Sequence, residues 1–534
     1  MDWVANKNAL YLKSMTTLLK NCFLIDGTGA PGKTCDVLIE NDVIKDIGSF
    51  LNGRADKVID LEHNVLAPGF IDTGADSDHY FTLFTDPGQH SLVAQGVTTL
   101  IGGNAGTSLA PLFGENILSF RKWADPNKIN SNWAHFSELI TTLRTRALGV
   151  NFGSLVGHST LRRGLLGDST LPLNTMEYRK FNFLIHQSLE EGAFGLSFGL
   201  AYTRAASVSP EEIFELTKQL SAVRAVFSCY PRVHEGIDSG VHEVITIAKE
   251  NQLNTDITHL STPDTEDFHT ALKEIEDAAR DVNVHFDVSP YAISVKPLFT
   301  LMPVWATQHG FDTLLRYVAE SNTRTRILQE LEAHHDMIGN IVVSYAKNQW
   351  IIHGKRIHEI AENQNISVGE ALLKILTVSE NQAGGFISDG TEAIREQLLA
   401  HSRALVSSNG VGYDVIQSIG RPKIHPRSFG AFPRFLRIVR ERNLLSLEKA
   451  VQKITGAVAE KFGIQKRGII RRGNYADFVV FDGAHIKEGN TFEIPTAPPE
   501  GISFVFINGV LVYDHGVFSD AYSGRALASL SRLS

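Results

Sequence analysis

Between about Pro68 and Phe462 the chain repeats one kind of unit, a short apolar run followed by a stretch of helical periodicity. The runs include GVTTLIGGN, FGSLVGHSTL, AFGLSFGL, AVFSCYPR, TDITHLS, VHFDVSPY, GNIVVSYA and ALVSSNG. Eight such units predict an α/β fold built on a (β/α)8 TIM barrel, whose chemistry sits at the C-terminal ends of the strands. Those strand ends are where His, Asp and Glu carry functional weight.

Both ends of the chain have another texture. LLKNCFLIDGTG, CDVLIENDVIKDIGS and KVIDLEHNVLAPGFID near the start, and NYADFVVFDG and ISFVFINGVLVYDHGVF near the end, are alternating apolar runs broken by turn residues. Two β-rich ends around a mixed centre predict one discontinuous domain. The expected divisions are 1–16 as an N-terminal extension, 17–68 and 463–534 as the two parts of a small β-sandwich, and 69–462 as the barrel. Residues 295–400 exceed what simple barrel repeats require and predict a lid-like helical insertion over the barrel mouth.

Composition narrows the partners. The formal charge is −9, from 50 Lys+Arg against 59 Asp+Glu, without a basic run, so the electrostatic footprint of a nucleic-acid binder is missing. Cys22, Cys35 and Cys229 are odd in number and form no C-x-x-C pair, which reads as a reducing, cytoplasmic protein and not a disulfide framework. No run approaches the ~20 apolar residues of a spanning helix, so no membrane partner is expected. A small-molecule ligand is.

The segment LAPGFIDTGADSDHYFTLFTDPGQHSLVAQGVTTLIGGNAGTSLAPL, followed in order by VGHSTLR, EGAFGLSFGL, ITHL, DVSPY, HPRSFG, FPR and GNYAD, resembles the amidohydrolase superfamily, and within it the N-acyl-D-amino-acid deacylases. The resemblance runs from Leu18 through nearly the whole chain and is weakest over 295–400. It implies hydrolysis of the amide C–N bond of an N-acyl-D-amino acid by a zinc-bound hydroxide, because a divalent cation brings the pKa of water down to about 7. In that family zinc is held by a His-x-His pair, a Cys at the end of the second strand and two later His, with an Asp that handles the proton.

Carried over residue by residue, the His-x-His positions hold Gly74 and Asp76, with Asp78 two places on, and the Cys position holds Ala105. The first later His falls on Tyr230 or Pro231, with Cys229 and His234 close by as shifted donors. His259 is the one metal candidate retained, and Asn409 stands at the Asp position, where an amide cannot take a proton from water as a carboxylate does. Zinc is therefore expected to be absent or substoichiometric. Ser388-Asp389-Gly390 looks like the family's Ser-Asp-Gly but lies too far from HPRSFG and reads as coincidence. His334, His335, His353 and His358 read as surface residues.

Three functions follow. By resemblance the chain is a C–N hydrolase; by its substituted positions it is a pseudoenzyme that binds a ligand or partner; and a changed hydrolase chemistry would use Asp76 and Asp78. Asp76, Asp78, His158, Tyr202, Arg427 and Arg434 are the expected pocket residues, with either arginine receiving the carboxylate of a small N-acyl amino acid or similar ligand.

Overall fold

Side chains alternate along the C-terminal strand Phe478–Phe481: Phe478 and Val480 enter one apolar core, Val479 and Phe481 another. That period of two makes a strand a partition between two cores. The structure, a computed structural model, describes residues 15–49, 55–167, 169–202, 207–233, 236–261, 265–307, 309–414 and 423–529. The N-terminal residues 1–14 and His234 lie outside them.

Strands from both ends form one nine-stranded sheet. Val65–Pro68 is its joint, running parallel to Thr16–Leu24 and antiparallel to Phe478–Phe481. One core, with Leu19, Val37, Ile39, Phe478 and Phe506, belongs to this sheet alone. The opposite set, including Ala67, Val479, Val505 and Ile507, packs into the main core of the chain. A buried polar junction fixes the two units. Asp477 accepts from the Asn508 backbone (2.7 Å), from Asn151 (3.2 Å) and from the Arg467 guanidinium, and Asn151 belongs to the central strand Asn151–Ser154.

The central strands run parallel in two arcs. Phe70–Asp72, Val97–Gly102 and Asn151–Ser154 form the first; Val156–Gly157, Gly195–Gly199, Val226–Tyr230, Asn254–Ile257, Val284–Val288 and Ala404–Val406 form the second. Leu155 alone separates the arcs in sequence. Helices such as Thr175–Glu190 and Ile237–Asn251 alternate with the strands, as an α/β barrel architecture requires. The run GNIVVSYA is not among these strands. Val342–Ala346 pairs antiparallel with Ala383–Ser388, which also pairs with Ile293–Pro297, and Phe70–Asp72 supplies the strand that GNIVVSYA had stood for. An apolar run reads alike in either setting, and only its pairing partner distinguishes them.

The insertion is therefore a three-stranded sheet with helices, including Phe311–Ala319, Ser321–Glu332 and Val368–Val378, around its own core of Leu298, Ile327, Val343, Leu372 and Leu376. The middle strand of this sheet, Ala383–Ser388, reads AGGFIS, and its paired glycines conceal it, since Gly is poor in strand interiors. A Cβ on Gly385 would stand 2.5 Å from Ile341 and 2.8 Å from Leu298, so the close packing of this layer requires the glycine.

Candidate functional site

A cavity of about 60 Å3 opens at the C-terminal ends of the central strands, lined in part by Gly74, Asp76, His79, Ala105, Trp123, Tyr230, His259, Lys296, Asn409 and Arg427. Gly74, Asp76, Ala105, His259 and Asn409 thus border one space, with Tyr230 and not Pro231 at its wall. Ala105, His259 and Asn409 each adopt a left-handed backbone, with φ of 49°, 55° and 49°. Asn tolerates that region, but Ala and His hold it at a cost of about 1 kcal/mol or more, the kind of strain that collects at functional sites.

His259 follows the strand Asn254–Ile257, and its backbone N–H donates to Asp287 (3.2 Å). Asn409 Nδ2 lies 2.7 Å from His259 Nδ1, and an amide nitrogen only donates, so Nδ1 accepts. On the other side Nε2 stands 3.2 Å from Asp389 Oδ2, which only accepts. Both ring nitrogens are therefore engaged, and the imidazole keeps no lone pair for a metal.

Asp389, read as coincidence from the sequence, is brought here by the insertion. It is buried, and the Lys296 ammonium lies 2.6 Å from its Oδ1. Burial opposes the charge, yet Lys296 and His259 hold the Asp389 carboxyl well below the usual carboxylate range. Burial likewise works against the Lys296 ammonium, but Asp389 and a hydrogen bond to Tyr230 keep its pKa above the ordinary lysine value. A fixed cation from the insertion thus shares the cavity with the histidine.

Opposite stands a second Asp–His pair. Asp76 Oδ1 lies 2.9 Å from His79 Nδ1, and His79 Nε2 lies 3.2 Å from the Thr107 carbonyl oxygen. Both partners are acceptors, a setting that favours a proton on each ring nitrogen of His79. Burial works against that charge, but Asp78 and Asp76 outweigh it and raise the pKa. The ring stacks on Trp123 at 4.0 Å, and Trp123, Tyr202, Tyr230 and His259 follow edge to face at 5.7, 5.8 and 5.4 Å. This aromatic series walls the cavity.

The expected pocket residues divide. Arg427, at the start of helix Arg427–Arg442, reaches the cavity, with Nη2 3.8 Å from Asp76 Oδ2. Arg434 is two turns, roughly 10 Å, further along the same helix. It is absent from the cavity wall and engages Glu488 (3.1 Å), Glu392 (3.2 Å) and the Pro290 carbonyl (3.0 Å). Asp78 is turned inward to accept from the Gly103 N–H (2.7 Å), so it does not share the cavity with Asp76. His158 lines a neighbouring cavity, its Nε2 2.8 Å from the buried Glu212, which also takes Arg162 one helical turn on at 2.5 and 2.6 Å. Tyr202 stands between the two cavities.

His79, Trp123, Lys296 and Asp389 are the residues that sequence reading missed. A sign of the first was present, since ADSDH puts a histidine three places after Asp76. Nothing local announces Lys296, which is brought in by pairing of Ile293–Pro297 with Ala383–Ser388.

The amidohydrolase family matches residues 57–513, most of the chain. The chain belongs to the amidohydrolase family. Among characterised relatives, a D-aminoacylase of Alcaligenes xylosoxydans xylosoxydans is 30% identical over 96% of this chain and 97% of its own. An N-acyl-D-glutamate deacylase from Bordetella bronchiseptica, solved with zinc and a phosphonate inhibitor, superposes with a TM-score of 0.83 at 25% identity, covering 97% of this chain and 100% of its own. A D-aminoacylase structure described for its binuclear metal centre gives 0.80 at 29% identity over 96% and 99% of the two chains. This amidohydrolase thus shares its α/β fold with metal-dependent deacylases.

Its own residues do not fit a zinc ion at this place. Gly74 and Ala105 offer no side-chain donor, Asn409 donates to His259, His259 is engaged at both nitrogens, and Lys296 adds a positive charge. Among the described residues no group of three or more His, Cys, Asp or Glu side chains converges as a metal site would require.

Proposed function

We propose that this amidohydrolase-fold protein binds a small carboxylated molecule at the barrel mouth and does not hydrolyse N-acyl-D-amino acids. One observation carries the reading: His259, the histidine that the resemblance keeps at a metal position, has its two ring nitrogens against Asn409 and Asp389, beside the Lys296 ammonium. Hydrolysis needs an activated water and a proton acceptor, whereas binding needs only complementary shape and charge. Arg427 and Lys296 supply the positive charge at the cavity, and the relatives' acyl-amino-acid ligands supply the chemical class. The changed-chemistry reading loses its pair, because Asp76 is bound to His79 while Asp78 faces Gly103.

The test joins three measurements: zinc content of protein purified without chelator, amine release from N-acyl-D-amino acids, and thermal shift with the same compounds. Zinc well below one equivalent, no amine release and a raised midpoint are expected, since a ligand that binds only the native state raises the midpoint without turnover. Stoichiometric zinc that disappears in His259→Ala, accompanied by amine release, would overturn the proposal.

A further inference from the structure

Beside the barrel-mouth cavity lies a larger one, of about 250 Å3, between the barrel and the insertion. Its barrel wall is basic, with Arg121, Lys122 and Arg163; its insertion wall is apolar, with Phe299, Phe311 and Leu314. From these opposed walls we infer a second binding site, for an organic anion with a hydrocarbon portion, of about the size of a medium-chain carboxylate. The inference goes beyond the reading of the smaller cavity and does not depend on it.

The charges around the space favour an anion. Arg162 also borders it but is neutralised by Glu212 at 2.5 Å. Burial, and after it the charge of Arg121, depress the Arg163 guanidinium, while Glu115 acts the other way. Lys122 stands over the rings of Trp123 (4.0 Å) and Tyr202 (4.3 Å). The two lining acids lie at the exposed rim: Glu380 pairs with Lys347 at 2.7 Å, and Asp312 sits in the first turn of the exposed end of helix Phe311–Ala319. An anionic head against the barrel wall would meet the basic side chains there, and a tail against the other wall would cover the partly exposed Phe311. The volume lies at the small end of ligand pockets.

Calorimetric titration of the full chain with octanoate and octyl phosphate, against neutral octanol, tests this. Saturable binding of either anion, weakened by salt and roughly tenfold or more tighter than octanol, is expected, and the tighter anion identifies the head group. Arg121→Glu, at an exposed position, and Phe311→Asp, on the opposite wall, should each weaken binding roughly tenfold or more while both proteins keep the wild-type circular dichroism. No saturation up to about 10 mM, equal affinity for octanol, or binding kept in Arg121→Glu and lost in Arg427→Ala would overturn it.

Discussion

Gly74 shows how far a residue can commit a site. A Cβ built there would stand 2.8 Å from Ser407 Cβ and 3.0 Å from Asn409 Oδ1, so glycine and asparagine are fitted to each other. Restoring one imidazole by Gly74→His should destabilise the fold by about 1–3 kcal/mol through overpacking and gain no zinc, as read by urea unfolding and metal analysis. Zinc uptake by that single variant would show that the cavity is less committed than its contacts imply. Asp72 offers a pH test. Burial raises its carboxyl to about 6 although Ser408 and Gly74 donate to it. A folded-state pKa above the unfolded one contributes stability below about pH 4 that is lost as pH rises through about 6. At about 1.4 kcal/mol per pKa unit the loss is on the order of 3 kcal/mol. Wild type should therefore fall in stability between pH 4 and 7 more steeply than Asp72→Asn, and parallel slopes would refute the assignment.

At the scale of elements, the insertion meets the barrel where Asp389, held by Lys296 of the same insertion, reaches His259 at 3.2 Å. Removing one partner of a buried pair strands the other charge, at a cost of about 3–5 kcal/mol, whereas removing both costs far less. Lys296→Met should loosen the segment 293–389 to proteolysis, and Lys296→Met with Asp389→Asn should recover most of the loss. Equal destabilisation in the single and double variants would mean that the contact with the insertion does not depend on this charge. A loosened insertion also uncovers the aromatic wall at Tyr202, which separates the two cavities.

For the whole molecule, Val65–Pro68 is the joint between the two ends of the chain. Deleting residues 1–60 removes Thr16–Leu24 and leaves that joint as an unpartnered edge beside Phe478–Phe481. Hydrogen exchange over 465–529 should then accelerate although no residue of that segment has changed, because a shared sheet loses protection as a unit. Unchanged exchange there would separate the two halves.

Strand–helix periodicity, β-rich ends and collinear motifs determined the α/β fold and the family, because they follow from local side-chain pattern and chain order. The same motifs located Gly74, Asp76, Ala105, His259, Asn409 and Arg427 around one cavity, since strand ends at one rim of parallel arcs converge whatever residues occupy them. Tertiary structure alone decided the rest. A sequence cannot show that Arg434 lies two turns too far along its helix, that Asp78 turns inward, or that GNIVVSYA pairs within the insertion. Nor can it show that Asp389 and Lys296, 93 positions apart, meet at His259, because that meeting depends on which strand lies beside which. Hydrogen bonds and ion pairs between distant segments have no local pattern, and in this protein they set the surroundings of His259.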